Sequence, residues 1–187
     1  NIYFAERVLV ENESCYMYSV SIKTPDMEHE LFRYKSKYWI RPSVNQDGHV
    51  LFSITDGIEQ KILMYTHDGG VQEIVDGSFP VWLDNQSFLY VLDRRLFEYD
   101  LTTLSRNERL IDSKRSPRIN LSPFSGDALY LSANKEYLIY GISVEEKLLG
   151  FISTGYSHKS WNVLSLLSGN EYTVGVFEES YDNVHVH

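Results

Sequence analysis

A single cysteine, Cys15, excludes an intramolecular disulfide framework and a zinc site built from thiolates. Its neighbours Ser14 and Tyr16-Met17-Tyr18 have strand character, so Cys15 is read as a small core residue rather than a nucleophile. Positive charge is also scarce: 17 Lys and Arg stand against 26 Asp and Glu, a net charge of −9. A field of that sign repels nucleic acid and anionic membranes, and nucleic acid is not an expected partner. No apolar run reaches the roughly 18 residues of a membrane-crossing helix, and no basic-then-apolar leader opens the chain, so membrane insertion is not expected. The chain begins at Asn1 inside a strand-like segment, which is read as a piece processed or excised from a longer chain.

What the sequence has in plenty is aromatic side chains, with 14 Tyr, 9 Phe and 3 Trp. Such residues fit a pleated, half-buried surface, and the chain is expected to be all-β. At 187 residues it is long enough to bury a substantial core. Alternation predicts strands over 2–10 and 15–22, the second with Tyr16, Tyr18, Val20 and Ile22 on one face. A turn at Thr24-Pro25-Asp26 and a strand over 29–34 follow.

From Tyr38 onwards the chain repeats a unit. Its first copy has Pro42, a turn at Asn45-Gln46-Asp47-Gly48, a strand with Val50, Phe52 and Ile54, the strand Ile62-Leu63-Met64-Tyr65, and a short strand over 71–75. The second has Pro80 to Leu83, Asp84-Asn85, 87–92, Asp93-Arg94, 96–101 and 109–111. The third has 117–122, Ser125-Gly126-Asp127, 128–131, 137–142 and 148–152, and a fourth begins at Ser160 and continues through Tyr172 to Phe177. Pro42 and Pro80 are 38 residues apart, and Pro80 and Pro117 are 37 apart. Four short strands every ~40 residues mark the blades of a β-propeller. A lone four-stranded sheet leaves both faces wet, whereas stacked sheets cover each other, which suits the wholly apolar run Phe88-Leu89-Tyr90-Val91-Leu92. The competing fold is a β-sandwich, which would not require the recurring order of Pro, turn, aromatic strand and Tyr-bearing strand. The expected organisation is one propeller-like domain over 1–187 with units 1–37, 38–77, 78–115, 116–159 and 160–187, four to five blades or a slice of a larger ring.

With the units aligned, Phe79-Pro80-Val81-Trp82-Leu83-Asp84-Asn85, Phe88-Leu89-Tyr90-Val91 and Leu96-Phe97-Glu98-Tyr99-Asp100-Leu101 resemble the repeat of TolB-like propellers, also called WD40-like PD40 repeats. Pro42, Asp47 and Gly48 match the same pattern, and Leu121-Ser122-Pro123 with Gly126 matches in part, so the resemblance spans about residues 38–177. Asn85 stands where the pattern has glycine, and Val44 and Leu121 stand where it has tryptophan. These are structural positions, so the resemblance implies the fold and brings no catalytic residue. It implies a module that binds proteins, peptides or sugars, and it favours a periplasmic or extracellular location.

Catalytic signatures are missing. Gly155-Tyr156-Ser157-His158-Lys159 lacks the second glycine and the following helix of a nucleophile elbow and is read as a turn. His185 and His187 share a strand face, and Glu178, Glu179 and Asp182 form an acidic group, but terminal position and solvation account for them. Asp84, Asp93 and Asp100 are read as turn formers. The reading leans against an enzyme and requires no cofactor and no metal.

The remaining signal is where the basic residues fall. The links between units are expected at 34–41, 76–79, 112–118 and 155–160, and they hold 7 of the 17 Lys and Arg residues. Aromatics flank them, and Arg together with aromatic side chains is the usual make-up of interface hot spots. The candidate binding residues are therefore Trp39, Arg41, Phe79, Arg115, Arg118, His158 and Lys159. The expected partner is a protein or peptide, acidic in character, or an anionic glycan. The alternative function is a glycan- or peptide-processing enzyme, or a propeller associated with one, using one propeller face. The bland alternative is that Trp39, Trp82 and Trp161 only pack blades and that the charges are a solvated surface.

Overall fold

The computed structural model describes residues 2–10, 15–23, 26–37, 40–55, 58–66, 68, 70–110, 118–121, 127–148 and 152–179. Among these there is no helix, and hence none long and apolar enough to cross a membrane. The chain divides into two compact units, Asn1–Ile119 and Asn120–His187.

The first unit holds three antiparallel sheets. The first contains β1 (Ile2–Leu9), β2 (Tyr16–Lys23) and β3 (Glu28–Ser36) in that order. The second contains β4 (Ser43–Val44), β5 (Val50–Thr55), β6 (Gln60–Thr66) and β7 (Gly70–Asp76), and the third β8 (Ser78–Trp82), β9 (Ser87–Leu92), β10 (Arg95–Asp100) and β11 (Ser105–Glu108). Each is a meander in which sequence neighbours pair, as short turns demand.

Packing follows from alternation. Tyr18 and Val20 on β2 meet Val50 and Phe52 on β5 in one core, where the Phe32 and Phe52 rings lie 4.7 Å apart. A bulge in the β2–β3 pairing adds one residue to β3, so Leu31 and Phe32 are both buried. Leu51, between Val50 and Phe52, points the other way and joins Ile62, Met64, Phe88, Tyr90 and Tyr99 in a second core. β5 is thus apolar on both sides because each side faces a neighbouring sheet. Phe88, Leu89 and Tyr90 are likewise at most 1% exposed. Trp82 ties the second and third sheets, donating Nε1–H to the Ser43 carbonyl at 2.9 Å. Successive four-stranded meanders stacked face to face are propeller blades, and the fold is all-β of the β-propeller class.

The second unit is one sheet of β12 (Ala128–Leu131), β13 (Tyr137–Leu148), β14 (Ile152–Ser165) and β15 (Glu171–Glu179) in sequence order. Leu129, Leu138, Tyr140, Asn162 and Leu164 are buried, and the Tyr140 hydroxyl donates to Glu171.

Four expectations fail here. Residues 160–165 and 171–179 do not found a further blade; they complete the sheet begun at Ala128. The strand read over 137–142 was expected to end before a separate strand at 148–152, yet β13 runs on through Glu145-Glu146-Lys147 because Ser143, Val144 and Glu145 pair with Lys159, His158 and Ser157. For the same reason residues 155–160 are the middle of β14 and not a link between blades. The described residues of the segment expected to open the third repeat, 118–121, form no strand: Arg118 makes an isolated bridge to Arg95, and the Ile119 N–H donates to the Arg94 carbonyl at 2.8 Å. Full burial of Ile119 holds that segment on the third sheet.

Candidate functional site

The third sheet has two unlike ends. At one, β9 turns into β10 through Asp93 and Arg94, both left-handed with φ of 49° and 64°. Two positive φ values give the two-residue turn whose twist suits a hairpin, but its usual occupants are Asn and Gly. Arginine in the left-handed region costs ~1 kcal/mol, so the tip carries a charge at some expense in stability.

Three more arginines gather around that tip. Arg95 opens β10 and lies 3.5 Å from the Glu108 carboxylate, the arginine exposed and the glutamate half-buried. Arg109 donates its N–H to the Leu96 carbonyl at 2.8 Å and its guanidinium to Glu98 at 2.9 Å. Arg118, exposed, sits directly opposite Arg95. Arg94, Arg95, Arg109 and Arg118 therefore share one sheet end, where Glu98 and Glu108 are ion-paired and Asp93 stands at the tip, four positive charges against three negative.

The start of β8 belongs to the same end, since Ser78 pairs with Val91. One extra residue in β8 between Ser78 and Val81 makes a bulge, which accommodates Pro80, a residue unable to donate to the ladder. Phe79 in that bulge is left-handed at φ 54°, is half-buried, and donates its N–H to Ser53 Oγ at 3.4 Å. Just before it, Gly77 has φ 144°, and a Cβ there would lie 2.5 Å from the Tyr90 ring. Tyr90 is fully buried, its hydroxyl has no hydrogen-bond partner, and burial pushes its pKa up to about 12, against a smaller opposing pull from the Arg106 guanidinium.

The opposite end is made of capped turns. Asp84 Oδ1 accepts from the N–H groups of Gln86 and Ser87, both at 2.7 Å. Asp100 Oδ1 accepts from Thr102 and Thr103 at 2.7 and 2.9 Å, and these N–H groups hold its carboxyl below the usual range. Asn45 does the same for Asp47 and His49 in the second sheet. Such side chains replace missing ladder bonds through one oxygen each; the Asn45 Nδ2, buried in the same turn, has no hydrogen-bond partner.

Of the candidate residues read from the sequence, Phe79 and Arg118 lie at the basic end of the third sheet. Arg41 stands two residues before β4, at the corresponding end of the second sheet. His158 and Lys159 lie in β14 of the other unit, opposite Val144 and Ser143. Trp39 and Arg115 lie outside the described residues, as do His185 and His187. Trp161 stacks on Tyr130 with ring centres 6.1 Å apart. Sequence reading passed over Arg94, Arg95 and Arg109, which it took only as turn and strand. The signal available was an arginine at a hairpin tip where Asn-Gly would be expected. Among the described residues no group of His, Cys, Asp and Glu is arranged to hold a metal ion.

Solved structures similar to the chain include the following two. One is TolB from Acinetobacter baumannii, with a TM-score of 0.49 and 12% identity, matching 85% of this chain and 37% of that one. The other is an oligogalacturonate lyase in complex with manganese, with a TM-score of 0.41 and 8% identity, matching 91% of this chain and 52% of that one. The chain thus spans 37% and 52% of the lengths of these two proteins. No family model matches it, nor does any curated protein.

Proposed function

We propose that the chain is a non-catalytic binding module that recognises an acidic segment of a protein or peptide, or an anionic glycan, through the ends of its blades. The observation that carries this reading is the clustering of Arg94, Arg95, Arg109 and Arg118 at one sheet end in a protein of net charge −9. A local positive field on an acidic molecule attracts anions while the rest of the surface turns them away, which favours one docking orientation. Arginine suits the task because its planar fork pairs with carboxylate or sulfate groups through two hydrogen bonds. Phe79 and Arg41 extend the surface, Phe79 supplying apolar area beside the charges.

The test is binding of a fluorescent oligoglutamate peptide and of a sulfated oligosaccharide, by anisotropy, at low and physiological salt. Charge reversal by Arg94→Glu with Arg118→Glu is expected to weaken at least one of them by ~10-fold or more, with the difference shrinking as salt rises. Unchanged binding of both probes would end the reading.

A further inference from the structure

We infer that Arg95 and Arg118 form a fork for a single oxyanion, a carboxylate or a sulfate or phosphate ester. The inference rests on the preceding reading of this sheet end as a binding surface and names the group that it grips. The two residues are directly opposite in an antiparallel bridge. Opposed residues send their side chains to the same face with Cβ atoms about 5 Å apart, and like charges so placed repel. Glu108 lies 3.5 Å from Arg95 and so compensates that arginine, which leaves the charge of Arg118 over. Among the described residues Arg118 and the neighbouring Arg94 have no ion pair.

The opposition is imposed by the backbone and not by the guanidinium groups. Ile119 is fully buried and bonds the Arg94 carbonyl, so Arg118 is delivered to its position by its neighbour's packing. A sequence free to relieve the repulsion needs only one neutral residue at 95 or 118. An anion between the two forks would turn the repulsion into two charge-assisted contacts, with Arg94 at the hairpin tip as a third donor.

The experiment is thermal melting of the whole chain and of its Arg118→Gln variant in chloride, sulfate and glutarate at matched, low ionic strength. In chloride the variant is expected to melt at or above the wild type, since a repulsion has gone. Sulfate or glutarate should raise the wild-type midpoint relative to chloride and lose that specific rise in the variant; a rise with sulfate alone assigns an ester, and one with glutarate a carboxylate. A variant that melts lower in chloride and keeps the full anion-specific rise would overturn the fork. The two readings can fail separately. If the rise depends on Arg118 but peptide and glycan binding ignore it, the fork stands and the wider function falls. If binding needs Arg94 while the rise ignores Arg118, the fork falls and the function stands.

Discussion

The two ends of the third sheet are made from the same four strands, yet their polar residues are used differently. At the end formed by Trp82-Leu83-Asp84 and Asp100, side chains bond the fold itself: Asp84 and Asp100 cap two N–H groups each, and Trp82 bonds across to Ser43. At the other end two non-glycine residues of the hairpin and Phe79 are left-handed, and two arginines oppose each other. The first arrangement lowers the energy of the isolated chain, and the second raises it. Left-handed backbone occurs at both ends, since Leu104 in the β10–β11 turn has φ 52°, so it is the uncompensated charge, present at one end only, that points to a use outside the fold.

The comparison breaks first at Gly77. Alanine there must hold φ 144° and place a methyl group 2.5 Å from the buried Tyr90 ring. Both faults lack an escape, because Tyr90 is packed between sheets, so Gly77→Ala should cost ~3 kcal/mol in urea unfolding. A loss near zero would mean that the link end is not conformationally constrained at all. Next in size is the alkaline limb of stability. Tyr90 titrates at about 12 when folded against 10.0 when unfolded, so the folded chain holds its proton over a range where the unfolded chain has lost it. Stability from this group is unchanged below pH 10 and falls as pH rises toward 12, by roughly 2–3 kcal/mol. Tyr90→Phe should remove that fall and, by deleting an unpartnered hydroxyl, cost little at neutral pH; parallel pH profiles of the two proteins would refute it.

Smaller effects separate the ends by sign. Trp82→Phe loses the bond to the Ser43 carbonyl and should destabilise by ~1 kcal/mol without touching anion binding. Arg94→Gly relieves a left-handed arginine and should stabilise by ~0.5–1 kcal/mol while weakening the peptide or glycan probe. Chemical denaturation paired with the anisotropy assay reads both. If Trp82→Phe impaired binding or Arg94→Gly destabilised the fold, the ends would not be divided as described.

Much of this was legible in the sequence because it is local. Alternation in Val50-Leu51-Phe52 and Phe88-Leu89-Tyr90 announces strands, and Asp84, Asp100 and Asn45 announce turns through the short reach of their side chains. What could not be read is decided by pairing over long separations. Glu145-Glu146-Lys147 has turn composition but takes strand conformation because 157–159 lies beside it. Arg118 is far from Arg95 in sequence and is placed opposite it by an isolated bridge, with the Ile119 N–H bonded to the Arg94 carbonyl. A charge cluster assembled that way has no motif, only a hairpin tip with an unusual residue at its foot.

The smallest effect tests the capped end by itself. The N–H groups of Thr103 and Thr102 bond the ionised Asp100 carboxylate, so its folded pKa lies below the unfolded value of 3.8. Where the folded pKa is depressed, the unfolded chain takes up a proton first as pH falls, so the stabilisation is complete above that unfolded value and disappears as pH drops through the folded one. Asp100→Ala should therefore melt slightly below wild type at neutral pH, and the gap should close in acid. Asp100→Asn keeps an oxygen acceptor in place and should fall between them, with no acid dependence of its own. Because the carboxylate is solvent-exposed the shift will be small, but its pH dependence is diagnostic: a gap that stayed constant into acid would mean that Asp100 acts by packing and not as an acceptor. Reduced anion binding in either variant would give this end a ligand as well, and the contrast between the two ends would be lost.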